Sequence, residues 1–161
     1  MKRFDYLAPN NLDEALLMLS ERPEATALAG GTNVLVQLKE KHREASALLS
    51  LKRIPELHQL HAGEGLHIGA AVTLHQLAAD PTVRRDYAAL AAAAGLIGSV
   101  QTRNMATVGG NICNASPSAD TAPPLLALKA QAVLISVRGT RTIALEEFFT
   151  GPGETALQSG E

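Results

Sequence analysis

Ala25-Thr26-Ala27-Leu28-Ala29-Gly30-Gly31-Thr32-Asn33-Val34 is the stretch that decides the fold. A short run of small and apolar residues ends in two glycines, and a polar pair then leads into Val34, Leu35 and Leu38. The run reads as a buried strand, and Thr32 or Asn33 caps a helix behind it. Working backward, Pro23 ends an earlier helix. Its apolar residues Leu12, Ala15, Leu16 and Leu19 follow helical spacing, and Asn11 with Glu14 forms a capping-box pattern at its start. Residues 4–7 read as a short strand broken by Pro9-Asn10. Working forward, residues 39–44 are a charged, solvated connection and residues 47–51 a third strand. The result is a compact β-α-β-α-β unit.

Past Pro55 the rhythm changes. Residues 57–61 and 66–72 flank Ala62-Gly63-Glu64-Gly65 and read as a hairpin. Thr73 and Gln76 form a second capping box, and Asp80-Pro81 supplies an N-cap and first helical position for the next helix. That helix carries Val83, Tyr87, Leu90, Ala91 and Ala94 on one face. Residues 95–117 are rich in glycine and asparagine and lack periodicity. A further helix runs through Leu125 to Leu128, with Pro123 and Pro124 tolerated in its first turn. Val133, Ile135 and Val137 alternate, Arg138-Gly139 turns, and Ile143 and Leu145 alternate back. Residues 148–153 and the polar tail read as a loop. The fold class is therefore α+β: a small N-terminal β-α-β unit at residues 1–54, then a larger mixed sheet-and-helix unit at residues 55–161. Few strands cover the helices of the second unit, so it reads as incomplete, a fragment of a longer chain.

The 161 residues are 46% hydrophobic, enough for a core, and 14 Lys+Arg against 16 Asp+Glu leave a net charge of −2. A dedicated nucleic-acid binder would carry a basic face, and 3% aromatics with no Trp leave little for base stacking. A single Cys rules out an internal disulfide framework and a four-cysteine metal site, and fits a reducing compartment. The start Met1-Lys2-Arg3 is positive but has no apolar stretch behind it, and no run approaches the length of a membrane span. These readings make a cytoplasmic protein without a membrane span the expectation.

Two glycine pairs can carry chemistry. Ala29-Gly30-Gly31-Thr32-Asn33 joins a strand to a helix, where bare amides can cradle an anion. Thr107-Val108-Gly109-Gly110-Asn111 offers bare amides again, beside a hydroxyl and a carboxamide. Together they would hold the two phosphates of a dinucleotide from opposite sides; each alone reads equally as a tight turn. Neither is a Rossmann fingerprint or a P-loop. Asp120 precedes the Pro-Pro helix, and locally reads as a helix-start carboxylate before it reads as an acceptor for ligand hydroxyls. His58 and His61 would lie on opposite faces of a strand, so the five histidines read as surface residues. Cys113 reads as a buried, inert thiol. No catalytic or metal-ligating residue is assigned.

In order along the chain, Ala29-Gly-Gly-Thr-Asn-Val34, Gln101-Thr-Arg-Asn-Met-Ala-Thr-Val-Gly-Gly-Asn-Ile112 and Asn114-Ala-Ser-Pro-Ser-Ala-Asp-Thr-Ala-Pro-Pro-Leu-Leu-Ala-Leu128 resemble one family closely. It is the FAD-binding subunit or domain of the molybdenum hydroxylases, such as xanthine dehydrogenase and the medium subunit of aerobic carbon monoxide dehydrogenase. Phe4-Asp-Tyr-Leu-Ala-Pro and Glu147-Phe-Phe-Thr-Gly-Pro-Gly fit as well, so the resemblance spans essentially the whole chain. It implies a PCMH-like FAD-binding fold clasping an extended FAD. It implies cofactor contacts from Leu28, Ala29, Gly30, Gly31, Thr32, Asn33 and Val34, from Thr107, Val108, Gly109, Gly110 and Asn111, and from Asp120. It implies an oxidoreductase component that takes electrons from 2Fe-2S clusters on a small partner subunit. Those clusters are fed by the molybdenum cofactor of a large partner subunit, and the flavin passes electrons to an external acceptor. The alternative is a non-catalytic nucleotide-binding or assembly module of a redox complex.

Overall fold

The structure is a computed structural model that describes residues 3–161; Met1 and Lys2, part of the positive start, lie outside the described residues. The N-terminal region alternates β1 (Asp5–Leu7), α1 (Leu12–Glu21), β2 (Thr26–Leu28), α2 (Val34–Lys39) and β3 (Ala47–Ser50). The three strands form one parallel sheet in the order β1-β3-β2, with Leu48 opposite both Tyr6 and Thr26. As the central strand of a parallel sheet, β3 is buried along its whole length, as two covered faces require. Side-chain alternation then divides it. Leu49 packs with Ala15 of α1 and Ile54, and Leu48 packs with Leu28 and Leu38 of α2.

Local chemistry sets these boundaries. The Asn11 side chain accepts from the Glu14 amide at 2.8 Å, as the sequence predicts. The reciprocal bond differs: Glu14 reaches the amide of Asn10, not that of Asn11.

A 3-10 turn at Pro55–His58 follows, then the hairpin β4 (Leu60–Ala62) and β5 (Leu66–Ile68). The predicted hairpin is thus shorter than residues 57–72. Pro55 starts a turn, and the Ala71 amide binds the Leu57 carbonyl outside the hairpin ladder. His58 accordingly lies in the turn and not on a strand. Next come α3 (Leu74–Ala79), with the full Thr73–Gln76 capping box, and α4 (Pro81–Asp86), capped by Asp80. The helix expected to run through Tyr87 breaks there. Tyr87 has φ −130° and ψ 44°, and α5 (Ala88–Leu96) restarts beyond it. The break lets Val83, Leu90 and Ala94 all reach the core around Leu74, Leu77 and Phe148 from two helix directions.

Residues 95–117 hold two helices that periodicity does not reveal, α6 (Val100–Met105) and α7 (Val108–Cys113). Ser99 and Thr107 cap them, accepting from the amides of Thr102 and Gly110. Helix α8 (Ala122–Ala127) carries both prolines in its first turn. The hairpin β6 (Gln131–Ser136) and β7 (Gly139–Ala144) follows, with Leu134 facing the core. The supposed terminal loop contains α9 (Leu145–Phe148) and a small ladder of β8 (Phe149–Gly151) with β9 (Glu154–Thr155). Phe148 drives this order, because its ring is 1% exposed in the core. The tail is tied down by Arg141, which holds both oxygens of Glu161 at 2.6 and 2.7 Å.

Candidate functional site

The site forms where the loop after β2 meets the segment entering α7. Gly30 sits against the backbone of the second motif: a Cβ built on it would lie 2.0 Å from the Met105 carbonyl oxygen and 2.9 Å from Ala106 Cα. Gly31 has φ +75°, which turns the chain from β2 into α2 and favours glycine. The amides of Gly30, Gly31, Thr32 and Asn33 find no hydrogen-bond acceptor among the described residues. Asn33 occupies the cap position of α2 but makes no side-chain cap bond, so its carboxamide is exposed and uncommitted. Leu28 is buried beneath the loop and Val34 half-buried beyond it, so these two support the loop's shape.

The second glycine pair differs from the expectation. Its amides are not bare. Val108 N–H donates to the Val72 carbonyl at 2.9 Å, Gly109 N–H to the Ala70 carbonyl at 3.0 Å and Asn111 N–H to the Thr107 carbonyl at 2.9 Å. The Gly110 amide is capped by Thr107 Oγ1 at 3.0 Å. Segment 106–109 runs alongside residues 70–74, with a bridge between Thr73 and Thr107, and this tertiary pairing consumes the Val108 and Gly109 donors, while Gly110 and Asn111 bond back to Thr107. Gly109 is glycine because it abuts Ala70; a Cβ there would lie 2.7 Å from the Ala70 carbonyl oxygen. Gly110 is different. A Cβ built there would meet Thr107 Oγ1 at 3.0 Å and Ala29 Cβ at 3.9 Å, and nothing else within 4 Å beyond its chain neighbours and its own helix backbone. Gly110 therefore presents an open surface beside the first glycine loop.

Asp120 joins this surface through its neighbour. Thr121 is fully buried and its hydroxyl donates to Asn111 Oδ1, fastening the segment before α8 to α7. The exposed Asp120 carboxylate has no hydrogen-bond or ion-pair partner among the described residues. It does not cap α8. Thr121 is the cap residue, the Ala122 amide binds the Ala119 carbonyl, and Pro123 and Pro124 offer no N–H. The preceding loop is held from the other side by Gly153 N–H donating to the Ala115 carbonyl at 2.8 Å.

Other polar groups are committed elsewhere. The Arg103 guanidinium donates to the carbonyls of Ile97 and Gly98 at 3.1 and 2.8 Å, fixing the turn into α6. Cys113 is exposed, not buried as its sequence neighbourhood suggests, yet desolvation pushes its thiol up to about 11. Among the described residues no three His, Cys, Asp or Glu side chains gather as a metal-binding group. His61 stacks on His67 across the β4–β5 hairpin, rings 4.9 Å apart. Sequence reasoning singles out Asp120 but misses Thr121. A hydroxyl flanking an exposed carboxylate, just before a proline pair, was the available signal.

The sequence profile of the family described as "FAD binding domain in molybdopterin dehydrogenase" matches residues 2–161, and the chain belongs to that family. It is 40% identical over 152 residues to the xanthine dehydrogenase FAD-binding subunit of Escherichia coli O157:H7, covering 93% of this chain and 52% of that protein. It is 35% identical over 167 residues to the nicotinate dehydrogenase FAD-subunit of Eubacterium barkeri, covering 100% of this chain and 56% of that protein. In three dimensions it superposes on carbon monoxide dehydrogenase from Hydrogenophaga pseudoflava with a TM-score of 0.95 at 34% identity, covering 99% of this chain and 56% of that one. The α+β architecture expected from the sequence is therefore that of the family. The chain spans about half the length of these relatives. No helix among the described residues is long and apolar enough to cross a membrane.

Proposed function

We propose that this chain holds FAD in the seam between its two glycine loops, as the flavin-binding part of an oxidoreductase complex of the molybdenum hydroxylase type. In this reading residues 1–54 and 55–161 are the two walls of the seam. The observation that carries it is the set of uncommitted groups gathered there. Gly30 abuts Met105 and Ala106, the amides from Gly30 to Asn33 are unpaired, Gly110 faces Ala29 without a side chain, and the unpartnered Asp120 adjoins Thr121, which is bonded to Asn111. Amides suit phosphate oxygens, and an ionised carboxylate suits ribose or ribityl hydroxyls, so the residues present fit a flavin nucleotide, and the family's description supports FAD as that nucleotide.

The roles divide accordingly. Gly30 to Asn33 donate to the pyrophosphate. Gly110 allows close approach, while Thr107, Val108 and Gly109 hold that approach in shape through their bonds to Gly110, Val72 and Ala70. Asp120 accepts from cofactor hydroxyls. Leu28, Ala29 and Val34 back the first loop. FAD, when bound, supplies the redox chemistry, and the chain positions it without an acid or base of its own.

The partners proposed are a large subunit carrying the molybdenum cofactor and a small subunit carrying 2Fe-2S clusters, with the flavin part delivering electrons to an external acceptor in the cytoplasm. The relatives named as FAD-binding subunits of dehydrogenases support this division of labour. The test is to acid-release the flavin from the purified complex and separate it by chromatography. FAD is expected; FMN alone, or no flavin, overturns the proposal.

A further inference from the structure

We infer that Thr121 sets the polarity of the Asn111 carboxamide, and that this makes Asn111 a hydrogen-bond donor toward the cofactor. The inference rests on the flavin reading above and names a positioning residue for it. A carboxamide offers one oxygen that accepts and one nitrogen that donates. The hydroxyl of the fully buried Thr121 donates to the Asn111 oxygen and has no other acceptor among the described residues, so an amide turned over would strand its proton. The Asn111 nitrogen has no protein partner among the described residues, and it is not one of the buried unpartnered atoms, so solvent reaches it. Asn111 is half-buried, follows Gly110, and is held by its backbone bond to the Thr107 carbonyl. Its remaining polar face is therefore an N–H₂ group that solvent reaches, on the residue after Gly110 in α7.

The consequence is a site with two fixed polarities. Asp120 can only accept when ionised, and it adjoins Thr121 in the chain. Asn111, with its oxygen turned to Thr121, presents its nitrogen, which donates. An anionic phosphate or a carbonyl oxygen fits the second and a hydroxyl the first. Without the Thr121 hydroxyl nothing holds the amide, and it can turn its oxygen toward the ligand, where it would repel a phosphate.

Two substitutions separate this role from simple packing. Asn111→Asp keeps an oxygen for Thr121 and replaces the donor by an acceptor of nearly the same shape. Thr121→Val removes the hydroxyl at nearly constant volume, and Thr121→Ser restores it. FAD dissociation constants are measured on the intact protein by titrating flavin into its apo form, beside thermal melts of that form. Asn111→Asp is expected to weaken FAD at least about 10-fold, and Thr121→Val about 5–15-fold, with Thr121→Ser near wild type. In the double variant Thr121→Val/Asn111→Ala, the Thr121 change should add nothing to Asn111→Ala alone. Wild-type affinity in Asn111→Asp, or full additivity in the double variant, overturns the inference while the flavin reading stands. A wild-type apo protein that takes up no FAD overturns both.

Discussion

Gly30 and Met105 touch backbone to backbone: the space a Gly30 Cβ would fill is already occupied by the Met105 carbonyl, 2.0 Å away. The contact joins the parallel three-stranded sheet to the helical region at the place where the candidate cofactor loops meet. No flexible side chain can move aside there, so Gly30→Ala must displace one loop from the other. The expected cost is roughly 1–3 kcal/mol of stability, with flavin lost as the seam opens. Gly109→Ala, against Ala70, should behave alike. Urea unfolding of the apo protein and flavin content of the purified complex check both; wild-type values for Gly30→Ala would refute the role of this contact.

Gly110 should separate function from stability. Beyond its chain neighbours and its own helix backbone, its Cβ position meets only Thr107 Oγ1 at 3.0 Å and Ala29 Cβ at 3.9 Å, and its φ is not positive. Gly110→Val disturbs at most the Thr107 cap, worth about 1 kcal/mol. It should nevertheless empty the site, because the new side chain projects where the cofactor approaches. The melting temperature should fall little and the flavin absorbance of the purified protein should disappear. A folded variant with normal flavin would count against the proposed site.

For Asp120 the helix-start alternative keeps only its charge, because the carboxylate stands just before the α8 cap residue and bonds to no amide of α8. Asp120→Ala should leave the apo melting temperature near wild type. A lost hydrogen bond to a charged group costs about 1.5–3 kcal/mol, so FAD should bind roughly 10–150-fold more weakly. Lower apo stability with unchanged affinity would restore the helix-start reading.

Cys113 should be sluggish toward thiol reagents despite its exposure. Desolvation pushes its thiol up to about 11, so very little thiolate exists near neutrality. Its alkylation by iodoacetamide at neutral pH should be slower than that of a free cysteine by about two orders of magnitude, following the thiolate fraction. The rate should rise as pH climbs toward 11. Labelling at the free-cysteine rate would refute this.

The tail contact predicts a pH dependence. Hydrogen bonding to Arg141 holds the Glu161 carboxyl below the usual carboxylate range. A depressed folded pKa gives stability that is fully present above the unfolded value, about 4.3, and is lost as pH falls through the folded value. Glu161→Gln should therefore be less stable than wild type in urea at neutral pH. The two curves should converge as the pH drops below about 4. A gap that persists unchanged into acid would show that the pair contributes no linked stability.

The sequence by itself determined the features whose partners lie within a few residues. Asn11 with the Glu14 amide, Thr73 with Gln76, and Asp80 before Pro81 place helix starts correctly, because a cap is a local contact. The parallel N-terminal unit was legible too: its strands are apolar runs cut by glycine and proline, and its helices carry one apolar stripe. The ordered glycine motifs pointed to the family. Tertiary structure decided what depends on distant partners. Helix α4 ends at Tyr87 because Val83 and Leu90 must enter one core from two directions. Helices α6 and α7 form in a stretch without periodicity because packing and the caps Ser99 and Thr107 stabilise them. The amides expected to be bare at Val108 and Gly109 are consumed by Val72 and Ala70, which no pattern within the motif reveals. The uncommitted groups at the seam then include the amides of Gly30 to Asn33 and Thr107, the Asn111 carboxamide nitrogen and the Asp120 carboxylate.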